Sequence, residues 1–74
     1  MSDAAAQAVQ ELSVLSKRQR ECLVLVAKGM TTKQIGECLS CSFKTIEVHL
    51  HKMREKLEMT TIEAVVLAVK ANWV

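Results

Sequence analysis

From Ser16 onward, apolar side chains recur every three to four positions, the period of one face of an α-helix rather than the alternation of a strand. Cys22, Leu23, Val26 and Ala27 make one such stripe, and Ile35 and Leu39 a second. Ile46, His49, Leu50, Met53 and Leu57 make a third, while Ile62, Val65, Val66, Val69 and Trp73 make a fourth. The intervals carry start and stop signals. Ser16 with Gln19, Thr31 with Gln34, and Thr60 with Glu63 each have the spacing of a capping box, and Ser42 stands where the third helix needs its N-cap. Gly29 suits a left-handed helix end. Gly36 lies inside a helical stretch, where it costs up to about 1 kcal/mol against alanine. Close approach by the next helix is a physical reason for it. With no proline and only these two glycines, an all-α chain is predicted. In residues 1–14, Ala5, Val9 and Leu12 have helical spacing, so this N-terminal arm is either a short amphipathic helix or a frayed tail. Residues 15–74 form the predicted domain.

The stretch TTKQIGECLSCSFKTIEVHLHKMREKL, residues 31–57, predicts a short helix, a tight break at Ser40-Cys41 and a longer helix after Ser42. At about 100° per residue, the Ile46, Leu50, Met53 and Leu57 ridge falls opposite Lys44, Glu47, Val48, His51 and Glu55. Two helices so joined, the second with one side free, are the unit of helix-turn-helix recognition. The last helix is apolar nearly all round. Its valine stripe is expected inside, leaving Ala64, Leu67, Ala68 and Ala71 to meet a second copy of the same helix in a homodimer. Trp73 either packs locally or covers the end of that seam.

Composition narrows the function. Seventy-four residues make a small core, which oligomerisation would support. The net charge is only +2, but Lys17, Arg18, Arg20, Lys33, Lys44, Lys52, Arg54 and Lys56 all lie in the central segment. Three cysteines, an odd number, fit a reducing cytoplasm better than a disulfide framework. No apolar run reaches the roughly 18 residues of a membrane span, and MSDAAAQAVQE is not a signal peptide. Neither a nucleophile–base pair nor a glycine-rich phosphate loop is present, so no enzyme and no cofactor are expected. Cys38-x-x-Cys41 with His49 and His51 has a superficial zinc look, but the two histidines point about 160° apart on one helix. No metal is expected, and His49 reads as a packed core histidine.

In order and spacing, LSKRQRECL, AKGMTTKQIG, SFKTIEVH and MREKL resemble the LuxR/FixJ-type helix-turn-helix domain of bacterial transcription regulators, from Leu15 to about Val69. The resemblance implies four helices, the third reading the major groove of double-stranded DNA and the fourth pairing two copies. It implies base-edge contacts from Glu47, Val48 and His51, and phosphate contacts from Lys44, Thr45, Lys52 and Lys56. Glu47 could accept from a cytosine amino group, Val48 touch a thymine methyl, and His51 donate to guanine. The chain departs from the family pattern at Glu58, where glycine is usual, and at Val24 and Cys38, which are usually polar. It also departs at Phe43 and Ile62, with a loop before Ile62 one residue shorter. Such domains usually follow a receiver or ligand-binding domain; neither is read in this sequence and single-domain members also exist, so a single-domain member is expected. Two functions fit. One is a dimeric regulator bound to promoter DNA. The other is an antagonist that captures a larger LuxR-type regulator through the last helix and blocks its DNA binding.

Overall fold

The computed structural model describes residues 3–74. Five helices are present among the described residues: α1 (Asp3–Leu12), α2 (Lys17–Ala27), α3 (Thr32–Leu39), α4 (Phe43–Leu57) and α5 (Thr61–Lys70). The start signals act as their chemistry requires. Ser16, Thr31 and Thr60 are extended N-caps whose hydroxyls accept from the amides of Gln19, Gln34 and Glu63, and those side chains bond back to the cap amides. Ser42 Oγ accepts from Thr45 N at 3.2 Å and lies 3.0 Å from Thr45 Oγ1. The helix ends rely on left-handed residues: Gly29 at φ 89°, Ser40 at φ 58° and Glu58 at φ 53°.

Of the two states left open for residues 3–14, the helix is the one observed, and it packs against α5. Met1 and Ser2 of the expected arm lie outside the described residues. The inward stripe of α1 is Ala5, Ala8 and Leu12, whereas Val9, expected inside, is exposed. The core gathers Leu12 from α1, Cys22 and Leu23 from α2, Ile35 from α3, and Ile46, Leu50 and Met53 from α4. Gln19 is the one polar residue in this interior among the described residues.

α5 corrects the expected dimer seam. Ala64 and Ala68 are completely buried and Ala71 nearly so, all within the chain's own core, and Leu67 is half-buried against it. The three alanines are therefore not a surface for a second copy. The expected inner stripe is instead largely outside: Ile62 is 78%, Val66 50% and Val69 55% exposed. Only Val65 and Trp73 of that stripe pack partly against the core. Size explains the inversion. α5 is wedged between α1 and α2, and methyl side chains allow helix axes to approach where β-branched ones would hold them apart.

Polar ties complete the assembly. Arg54 Nη1 donates to Thr61 Oγ1 at 3.0 Å, joining α4 to the start of α5. The Arg20 guanidinium stacks 4.2 Å from the centre of the Trp73 ring, a cation–π contact that fixes the chain after α5 to α2.

Candidate nucleic-acid interface

α3, the turn and α4 form one stiff unit. The amide of Cys41 donates to Gly36 O at 2.8 Å, and Ser40 turns the chain in the left-handed region. A methyl group added at Gly36 would lie 2.6 Å from the Cys41 carbonyl oxygen and 3.3 Å from Phe43 N. The close approach expected at Gly36 is thus real, and it comes from the turn backbone rather than from the body of α4.

From this anchor α4 projects with its two sides divided. Ile46 and Met53 are fully buried and Leu50 nearly so, while Leu57 and His49 are half-buried. Lys44, Thr45, Glu47, Val48, His51, Lys52 and Glu55 are all exposed. One open depression is lined by Lys44, Glu47, Val48, His51, Lys52, Arg54 and Glu55, every one from α4, so no other element covers it. The structure brings together Lys44, Glu47, Val48, His51 and Lys52 on this side, with Thr45 at the capped first turn.

Lys56 does not join them. It lies about 100° round the helix from Glu55, and its Nζ donates to Val14 O at 3.3 Å and to Gln19 Oε1 at 3.1 Å. Rather than turning toward the Lys44–Glu55 side, its ammonium ties α4 to the start of α2. Nothing in the local sequence signals this bond, because its partners stand 42 and 37 residues away.

Three features of the surface escaped the sequence reading. His51 Nε2 sits 3.3 Å from Glu55 Oε1, an i,i+4 pair that the spacing alone could have suggested. Arg54 borders the depression although its guanidinium is held by Thr61. Phe43, in the first turn, is 47% exposed. Of the three free thiols, Cys38 is exposed, Cys41 half-buried and Cys22 buried. Burial first, then the nearby Cys41, pushes the Cys22 thiol up from its ordinary value, with Arg18 opposing and Glu21 adding to the rise. Such a thiol is inert at neutral pH.

This geometry has a counterpart among known proteins. The profile described as "Bacterial regulatory proteins, luxR family" matches residues 13–69. The chain belongs to the LuxR family of bacterial regulatory proteins. Its matched residues form a LuxR-type helix-turn-helix DNA-binding domain, in a family of regulators rather than enzymes. Similar proteins include the transcriptional activator protein LuxR of Aliivibrio fischeri, 40% identical over 65% of this chain and 19% of its own length. The transcriptional regulatory protein LiaR of Bacillus subtilis is 41% identical over 62% of this chain and 22% of its own. The oxygen regulatory protein NreC of Staphylococcus carnosus is 46% identical over 62% and 21%. The chain thus spans about a fifth of the length of these LuxR-family relatives. α1 lies outside the matched residues, yet it supplies Ala8 and Leu12 to the core.

Proposed function

We propose that the chain is a transcription regulator that binds promoter DNA as a homodimer, laying α4 in the major groove of each half-site. The observation that carries this reading is the division of α4, with its apolar ridge buried and its Lys44–Glu55 side uncovered. Glu47, Val48 and His51 stand where base edges would be read, and Lys44, Thr45 and Lys52 where phosphates would be held. His51 must exchange its contact with Glu55 for one with a base. The surface left for a second copy is the outer side of α5, where Ile62, Val66 and Val69 lie exposed one turn apart. In line with its LuxR-family relatives and the free thiols, the protein works in a bacterial cytoplasm.

Binding to random and selected duplexes across a salt series tests this. Affinity should fall steeply with salt, as neutralised phosphates release counterions. Lys44→Ala should weaken binding about equally on all sequences and reduce the salt slope by about one. Val48→Ala should instead change the order of preference among sites, and Lys56→Ala should leave the slope unchanged. Uniform loss for both Lys44→Ala and Val48→Ala would refute the division of roles. The exposed valines of α5 also favour a second reading, in which this surface captures a larger LuxR-type regulator. Absence of DNA binding at low salt, with a heterodimer formed in its place, is the result that selects it.

A further inference from the structure

An open groove runs along the side of α2 between it and α3, lined by no residue of α4. Its floor is Val24 and Leu25 of α2 with Leu39 of α3, and Cys38 forms one edge. Leu25 and Leu39 also touch the buried core, so the floor is already fixed in place. Val24 and Cys38 are both departures from the family pattern toward apolar character, and here they converge on one surface although 14 residues apart.

The other end of the groove is charged. Lys17, Arg20 and Glu21 continue the stripe of Val24 at the i−7, i−4 and i−3 positions of α2. Glu21 is taken by Arg18, with Nη1 and Oε2 2.9 Å apart, whereas among the described residues neither Lys17 nor Arg20 has a carboxylate partner. Arg20 lies over Trp73, which holds its cation in place without neutralising it. The start of α2 adds a positive dipole end of the same sign. A small ligand would be left largely open to water here, whereas ligand sites enclose most of their guest. A helix laid along the groove matches its form.

We infer that this groove docks an acidic amphipathic helix of a partner protein. The seven residues between Lys17 and Val24 span about 10 Å along α2. The occupant therefore carries its apolar side chains at Val24, Leu25 and Leu39, and its carboxylates about one turn away at Arg20 and two turns away at Lys17. Because the α4 side is left open, partner and DNA do not compete for the same side chains.

The test uses short stapled alanine-based helices bearing a leucine pair and two glutamates, one turn and two turns away, made in both chain orders. The same peptides with lysines replacing the glutamates serve as controls. Two-dimensional amide NMR of the full chain reads where each binds. Shifts should centre on Val24, Leu25 and Leu39 for one order of the acidic peptide, with the lysine version at least about threefold weaker. Val24→Asp should weaken the acidic peptide about tenfold while retaining DNA affinity and helix content. Lys17→Glu, an exposed change that leaves packing alone, should reverse the preference toward the lysine peptide. Shifts centred on the outer side of α5, equal binding of acidic and basic peptides, or no shifts at millimolar peptide would each overturn the assignment.

Discussion

Among the described residues three non-glycine side chains stand in the left-handed region, and two of them, Ser40 and Glu58, close helices. Ser40 and Glu58 end α3 and α4 with positive φ, where a β-carbon crowds its own backbone. At Glu58 the sequence shows its departure from the family glycine, and the structure shows the backbone that makes glycine usual. Glu58→Gly should stabilise the fold by up to about 1 kcal/mol, seen as a higher urea midpoint with an unchanged slope. Gly36 obeys the opposite rule. Its conformation is ordinary, but the Cys41 carbonyl occupies the space a side chain needs. Gly36→Ala should cost about 1–3 kcal/mol in the same measurement, since the obstacle is backbone and cannot swing aside.

At the scale of elements, α2 to α5 were legible because each start is written in a cap, and the inward ridges of α2, α3 and α4 in a period. What periodicity could not decide was which side of α5 goes inside, since both are apolar. The deciding quantity is the room left by α1 and α2, and α1 had been readable equally as helix or tail. Once Ala5, Ala8 and Leu12 of α1 face α5, the alanines must face them. Lys56 teaches the same limit in polar form, because its two acceptors lie across the fold in the α1–α2 link and in α2. α1 is consequently a structural helix. Leu12→Ala should cost about 2–5 kcal/mol by thermal or chemical unfolding, the range for emptying a fully buried leucine site. A value near zero would return residues 3–12 to the status of a dispensable arm.

For the whole molecule, the division of α4 was legible, since a buried ridge and an exposed polar side follow from one helical period. The apolar side that α5 leaves outside was not legible: it is Ile62, Val66 and Val69, the surface proposed above for a second copy. A charge placed there should separate dimerisation from folding: Val66→Glu is expected to give a folded monomer by sedimentation, with half-site DNA affinity retained and cooperative binding to a two-half-site duplex lost. Ala68→Glu, placed at a fully buried position, should instead unfold the chain. The contact between Gly36 and the turn also bears on the choice of target. At the turn, the fork that presents α4 is braced backbone to backbone, a contact with no side chain that could swing aside, so α4 should meet every duplex at nearly the same pitch. Accommodation must then come from the nucleic acid, and operators should be ranked in part by how readily their uncontacted steps bend or narrow.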